Sequence, residues 1–293
     1  MTDRVSIEWL RYANAVAKTR SFSAAARDYG VTQPALSHGI AKFEDRLGAR
    51  LFDRTPRGVT VTTFGSRILP MVDRSLNELD GVLAEARRWT RTDGASIAVG
   101  ISPLISARLV ALAFTAAREL PSPRNLVLSE AHMETLHEGL EAGDIDMILI
   151  PSVTPLPGFE HRIVEAEPVV IVDTSPTPGD TVELFDTADR EFILLPDSCG
   201  LTQFTTQLFD AHHLPLRTYP GEATTYRVLE EWANLGLGAA LIPKSKLTSP
   251  HAPHQVLVDE DGNEIEVFYK SVWHPDSVLA TDLETMAAAL AAH

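Results

Sequence analysis

The stretch "SFSAAARDYGVTQPALSHGI", Ser21 to Ile40, constrains the fold of this chain more than any other. It reads as two short helices hinged at a glycine. Ser23 can cap the alanine-rich turn Ala24-Ala25-Ala26, and Gly30 stands where a left-handed residue would end it. Thr32 can cap a second helix, and Pro34 is tolerated in its first turn, where a backbone N–H would have no intrahelical partner. That helix continues through "AKFEDRLG", with Leu36, Ile40, Phe43 and Leu47 as one apolar stripe and Gly48 as its stop. The outward side carries Gln33, Pro34, Ser37, His38 and Ala41, where an ordinary surface helix would show Glu and Lys. Helix, glycine turn and helix make a helix-turn-helix.

Short polar groups suit a major groove: Gln pairs bidentately with adenine, and Ser donates or accepts. A helical hairpin without a groove partner would share the glycine turn, but the neighbouring segments favour DNA. "IEWLRYANAVAKTR" before it spaces Trp9, Leu10, Ala13, Val16 and Ala17 as a helix. "LFDRTPRGVTVT" after it alternates around Thr55-Pro56-Arg57-Gly58, as a two-stranded wing does. "TTFGSRILPMVDRSLNELDGVLAEARRW" then predicts a long helix with Ile68, Val72, Leu76, Leu79, Leu83 and Ala86 in a seam suited to a second copy. The alternative for that seam is packing on its own domain.

"RTDGAS" is a polar connector, after which strands alternate with helices and predict a parallel sheet. "SIAVGIS", "NLVLSEA" and "IDMILIP" read as strands between the helices "ARLVALAFTAAREL" and "METLHEGLEAGD". After "VTPLPGF" the cycle restarts with "EPVVIVD" and "REFILLP", the helix "LTQFTTQLFDAHHL", and "YRVLEEWANLGLGAALIP". "EVFYKSVW" and "DSVLATDLETMAAALAAH" return to the first unit, giving two α/β lobes with a cleft between them.

At 293 residues and 44% hydrophobic content, the chain is long enough for about two domains with real cores. Its charge is uneven. Residues 1–90 hold 14 Lys and Arg against 10 Asp and Glu, a net of +4, whereas the remainder holds 11 against 30, a net of −19. A basic front can meet phosphates while the acidic body is repelled from them. Arg27, Lys42, Arg54 and Arg57 are candidate phosphate contacts. No apolar run approaches a membrane span, and Arg4, Glu8 and Arg11 interrupt any signal-peptide core, so the cytoplasm is the expected compartment.

A single cysteine, Cys199, excludes an internal disulfide; it reads as a small cleft-lining or buried residue, although a lone thiol can be oxidised. His132, Glu134 and His137 tempt toward a metal, but histidines five apart on a helix sit off one face. His212-His213 and the pair His251 and His254 lack carboxylate or cysteine partners, so no metal or other cofactor is expected. There is no Gly-rich phosphate loop, no Gly-x-Ser-x-Gly elbow and no convergent catalytic set, so an enzyme is not expected.

The segment "SFSAAARDYGVTQPALSHGIAKFEDRLGARLFDRTPRGVTVTTFG" resembles the LysR-type transcriptional regulators. Ala25-Ala26, Gln33-Pro34-Ala35, Ser37, Glu44, Leu47-Gly48, Leu51-Phe52, Arg54, Thr62 and Gly65 carry the match; "LEAGDIDMILI" and "WANLGLGAALIP" extend it. The resemblance implies a mainly-α winged helix-turn-helix over residues 1–62, a dimerising linker helix over 63–90 and a hinge at 91–95. An α/β effector domain of two Rossmann-like lobes, shaped like periplasmic binding proteins, would fill 96–293. Lobe 1 would comprise 96–162 and 268–293, and lobe 2 163–267.

It further implies binding to double-stranded DNA at interrupted inverted repeats near promoters, by a dimer or dimer of dimers, with RNA polymerase as a partner of any activator. The expected DNA-binding residues are Ser23, Arg27, Thr32, Gln33, Pro34, Ser37, His38, Lys42, Arg54 and Arg57. The family's effector positions fall on Ser102, Pro103, Ala131, His132, Met133, Gly200, Leu201, Gln203, Glu222 and Thr224, facing a small-molecule effector such as an organic acid. Two residues depart from the family pattern. Gly39 replaces a helix former at about 1 kcal/mol of propensity and reads first as drift, with close backbone approach as the alternative. His38 replaces a basic residue and would make DNA affinity vary near neutral pH. Two rival functions remain: a ligand-binding protein whose helix-turn-helix serves only dimerisation, and an enzyme of the α/β cleft.

Overall fold

A computed structural model describes residues 5–55, 58–90, 96–174 and 180–292. The chain divides into two compact units, 1–86 and 87–293.

In the first unit, α1 (Ile7–Thr19), α2 (Phe22–Asp28) and α3 (Gln33–Leu47) precede the hairpin of β1 (Phe52–Thr55) and β2 (Gly58–Val61), and α4 (Thr63–Thr90) follows. The cap of α2 is Ser21, whose hydroxyl accepts from the Ala24 N–H, rather than Ser23, which is the second residue of the helix. Gly30 (φ 68°) and Gly48 (φ 76°) take the left-handed conformations their positions require. Thr32 caps α3 through Ala35 N–H, with Pro34 in its first turn. Leu36, Ile40 and Phe43 are buried with Ala13, Val16, Ala25, Ala26 and Leu51 in one core.

Two expectations change here. Gly39 is buried, and a Cβ on it would lie 2.7 Å from the Tyr12 ring, so the missing side chain is what lets α1 pack against α3. The seam of α4 is divided: Val72 and Leu76 are buried in the core of their own unit, with Ile68 packed against it, and Asn14 donates to Asp73 at 2.9 Å. Farther along, Val82 is 64% exposed, and with the exposed Met71 it leaves apolar surface on α4 for a second helix.

The second unit contains β3 (Ser96–Ile101), α5 (Ala107–Arg118), β4 (Asn125–Glu130), α6 (Met133–Glu141), β5 (Met147–Pro151) and β6 (Glu160–Val172). It continues with β7 (Thr181–Glu183), β8 (Glu191–Leu194), α7 (Gly200–Ala211), β9 (Arg217–Glu222), α8 (Tyr226–Asn234) and β10 (Ala240–Pro243). It ends with β11 (Gln255–Val258), β12 (Glu266–Trp273) and α9 (Ala280–Ala291). The main sheet runs β4-β3-β5-β12-β6-β11-β7, with β10 also on β6; β8 and β9 form a second, parallel pair.

The sheet is mixed rather than parallel throughout. β3 lies parallel to β4 and β5, but β12 runs antiparallel to both β5 and β6. The strand expected at "EPVVIVD" is the end of the 13-residue β6, whose first part pairs with β12 and whose last part pairs with β10 and β11. One strand therefore belongs to both groups of elements. β7, β9 and β11 had no counterpart in the sequence reading.

Gly65 tests the joint between wing and long helix. A Cβ there would lie 2.3 Å from the Leu51 carbonyl oxygen, a backbone atom that cannot swing away. Gly65→Ala is expected to destabilise the first unit by about 1–3 kcal/mol, measured as a fall in its unfolding midpoint in urea.

Candidate functional site

The first site is the outward face of α3. Pro34, His38, Ala41 and Lys42 are exposed there, and Ser23 and Arg27 are exposed on α2. Gln33 and Ser37 are half-buried because Gln33 Nε2 donates to Ser37 Oγ at 2.9 Å, one helical turn away. That bond orients the Gln33 amide before any partner arrives, leaving its carbonyl as an acceptor and its second N–H as a donor. Thr32 is exposed, but its hydroxyl is occupied as the α3 cap. Arg54 is placed on β1, and Arg57 lies outside the described residues.

Three further residues set the wing against this helix, and sequence reasoning gave them no role. Glu44 Oε1 accepts from the Leu51 and Phe52 N–H groups at 2.7 and 3.2 Å, fixing the start of the wing to α3. Thr62 donates to the Arg50 carbonyl at 2.7 Å and accepts from Gly65 N–H at 2.9 Å, joining the base of the wing to the start of α4. Gly65 permits the approach. A concavity of about 610 Å³, lined by Ser37, Ala41, Asp45, Arg50 and Asp53 among others, lies between α3 and the wing. All three positioning residues were visible in the motif, but a buried acceptor role is invisible until the wing's register is known.

The second site is the carboxyl edge of the sheets, where open α/β folds bind ligands. Ser102 follows β3, Ala131 and His132 follow β4, Gly200 opens α7 after β8, and Glu222 ends β9. Ser102 is buried, and its side chain accepts from Leu104 N–H, so it shapes the loop. Ala131 N–H donates to the Ile101 carbonyl, His132 stands at the N-cap of α6, and Met133 is that helix's first residue. Pro103 is half-buried, Leu201 is buried, and Glu222 and Thr224 are exposed.

Gly200 meets the first group of strands directly: a Cβ on it would lie 2.5 Å from Pro151 and 3.7 Å from Met133 sulfur. Gln203 is tied down, donating to the Asp197 carbonyl and standing 3.5 Å from the Thr154 hydroxyl, which donates to it. Cys199 is buried at the N-cap of α7, with its sulfur 3.5 Å from Tyr226 Oη. His137 faces Glu141 at 3.5 Å and packs edge-on against Phe159.

Sequence reasoning gave the charged groups that follow no role. Lys246, half-buried after β10, donates to the Ile105 carbonyl at 2.7 Å and lies over the Tyr226 ring. Burial lowers its pKa, while the Glu167 and Glu130 carboxylates oppose that shift. Burial first, then Cys199 and Glu130, push the Tyr226 hydroxyl far above its ordinary range. Glu167 is buried and fully engaged, accepting from Tyr269 Oη at 2.6 Å and from Ser245 N–H and Oγ at 2.8 and 3.0 Å. Lys270 is buried and donates to the Thr154 carbonyl at 2.7 Å.

Two family models match the chain: the lysR-family bacterial regulatory helix-turn-helix protein over residues 7–66, and the LysR substrate binding domain over 91–293. The chain belongs to the LysR family. It is a DNA-binding transcriptional regulator with an effector-binding domain, and the family is not one of enzymes. The regulator IlvR of Caulobacter vibrioides is 30% identical over 287 residues, covering 94% of this chain and 95% of that protein. The nitrogen assimilation regulatory protein nac of Klebsiella aerogenes is 25% identical, over 84% and 80%. Among solved structures, a cysteine-to-serine variant of Corynebacterium glutamicum OxyR with hydrogen peroxide bound superposes with a TM-score of 0.59 at 22% identity, covering 99% and 92%. CbnR in complex with its target DNA gives 0.54 at 22%, over 97% and 99%. No helix among the described residues is long and apolar enough to cross a membrane.

Lys270 sets a pH dependence for this LysR domain. Desolvation lowers its folded-state pKa, so between that value and the ordinary lysine range the unfolded chain binds more protons. Stability therefore rises with pH through that window, and the cost of the buried ammonium is fully present below it. Lys270→Met is expected to flatten the rise, measured by urea unfolding at a series of alkaline pH values.

Proposed function

We propose that paired recognition helices, α3 from each of two copies, read the half-sites of an interrupted inverted repeat about one helical turn apart or a multiple of it. The observation that carries this reading is the Gln33–Ser37 bond on an outward face where Lys42 is the one cation beside Pro34, His38 and Ala41, next to a wing held by Glu44. Gln33, Pro34, Ser37 and His38 are the proposed base-edge contacts. Ser23, Arg27, Lys42, Arg54 and Arg57 are the proposed phosphate contacts, and Thr32 contributes through the helix end that it caps.

The exposed Val82 on α4 supports pairing of two copies, and a dimer of dimers extends it. A small-molecule effector in the interlobe cleft, held among Ser102, His132, Gln203 and Thr224, favours one arrangement of the copies over another by differential affinity. Half-site spacing or DNA bending then changes, and with it the engagement of RNA polymerase at the promoter. The cytoplasm is the compartment in which this would operate. The domain limits that fit this reading are 1–62, 63–90, 91–95 and 96–293. The lobes are 96–162 with 268–293, and 163–267.

Footprinting on promoter fragments at two salt concentrations tests it. The complex is expected to weaken with salt yet keep its sequence preference. Gln33→Ala should cost about 1–3 kcal/mol at a single base position, whereas Lys42→Ala should weaken all sequences alike and reduce the salt slope by about one. A protein that stays monomeric and binds random competitor equally well would overturn the reading.

A further inference from the structure

We propose that Lys246 is a releasable strut between the two groups of strands in the effector domain, and that Glu167 and Glu230 are positioning residues holding the turn that carries it. The inference rests on the reading that the arrangement of the lobes sets half-site spacing, and adds the place where they part.

Lys246 ends the single turn Lys244–Lys246 that follows β10. Buried carboxylates clamp the chain on both sides of it. Glu167 on β6 accepts from Ser245 N–H and Oγ at 2.8 and 3.0 Å, and Glu230 on α8 accepts from Thr248 N–H and Oγ1 at 2.8 and 2.9 Å. Each acid takes a backbone donor and a hydroxyl donor from one residue, which satisfies both of its oxygens away from water. Tyr226 lies one turn before Glu230 on α8, and its ring centre is 5.7 Å from Lys246 Nζ. The backbone beneath Lys246 is therefore fixed, and its four-carbon stem is the part that can bend.

That stem crosses to the loop after β3, where Nζ donates to the Ile105 carbonyl at 2.7 Å. The loop is fixed in its turn. Ser102 N–H donates to the Leu149 carbonyl, Ile105 N–H donates to the Ser102 carbonyl, and Ser106 caps α5. One flexible side chain thus spans two rigid pieces of backbone through one charged donor.

The crossing at the end of β5 is built differently. Gly200 of α7 comes so near that a Cβ on it would lie 2.5 Å from Pro151, and Gln207 Nε2 donates to the Val153 carbonyl at 2.9 Å. Between them Gln203 stands 3.5 Å from the Thr154 hydroxyl, and Lys270 of β12 holds the Thr154 carbonyl at 2.7 Å. Parting α7 from β5 breaks several contacts at once, whereas parting Lys246 from Ile105 breaks one. The α7 contact is the pivot, and Lys246 is the point of release.

Hydrogen exchange of the full-length protein over residues 102–106 and 200–207, with footprinting on operator fragments, tests this. Lys246→Met keeps a stem over the Tyr226 ring but removes the ammonium. The amides of 102–106 are expected to exchange roughly 10-fold faster or more, with 200–207 unchanged. Lys246→Arg, which returns a charged donor, should bring them back toward the wild-type rate. Ser245→Ala and Thr248→Val loosen the clamps while leaving Lys246 in place, and each should quicken the same amides by roughly 2- to 5-fold. Gln207→Leu should leave 102–106 at the wild-type rate. Equal quickening of both segments by Lys246→Met, or of neither, overturns the strut and its pivot. No change at 102–106 in the two clamp variants overturns the positioning role of Glu167 and Glu230. Lys246→Met is also expected to alter the spacing of the footprint while base preference is kept. The expected exchange pattern with an unaltered footprint would leave the strut standing and overturn the reading that lobe arrangement sets half-site spacing.

Discussion

The antiparallel pairing of β6 with β12 is the contact on which the effector domain depends. All eight residues of β12 pair with β6, from Glu266 opposite Pro168 to Trp273 opposite Glu160, with a one-residue shift in register between Tyr269 and Lys270. On its other edge β12 pairs with β5, and the remaining length of β6 carries β10 and β11. Each lobe is therefore hydrogen-bonded to the other through shared backbone rather than joined by a tether. That continuity brings the loop after β3 and the turn after β10 to the same edge, where Lys246 can reach the Ile105 carbonyl.

The recognition domain was readable because its signals are local. Thr32, Pro34, Gly30 and Gly48 act within a few residues of themselves, and the Leu36–Ile40–Phe43 stripe needs only helical spacing. The same locality explains the misplaced cap: Ser21 and Ser23 both precede alanines, and only the extended backbone at Ser21 (φ −150°, ψ 123°) decides between them. Gly39 was read as drift because its reason, the Tyr12 ring, lies on another helix.

The effector domain was legible in outline and opaque where its parts meet. The first half of β6, "EHRIVEA", is too polar to announce a strand, and its pairing comes entirely from β12, a hundred residues farther on. β9, "RTYPGE", contains both Pro and Gly, so its local preference opposes the strand that pairing with β8 imposes. Ser102 follows β3 and Gln203 lies in the first turn of α7, and their side chains are engaged within the protein, on Leu104 and on Asp197 and Thr154. Lys246 escaped notice because it belongs to no motif; only topology brings it to the Ile105 carbonyl.

Thr62 and Gly65 clamp the first turn of α4 to the Arg50–Leu51 backbone, Asn14 clasps Asp73, and Val72 and Leu76 sit among the side chains of α1 to α3. The near end of that helix is thus a cantilever rooted in the reading head, not a hinge beneath it. A torque applied to such a shaft turns its head as one solid piece, without remoulding the surface that touches the bases. The distance between two heads is then the quantity such a shaft can adjust, while the letters each head reads stay the same.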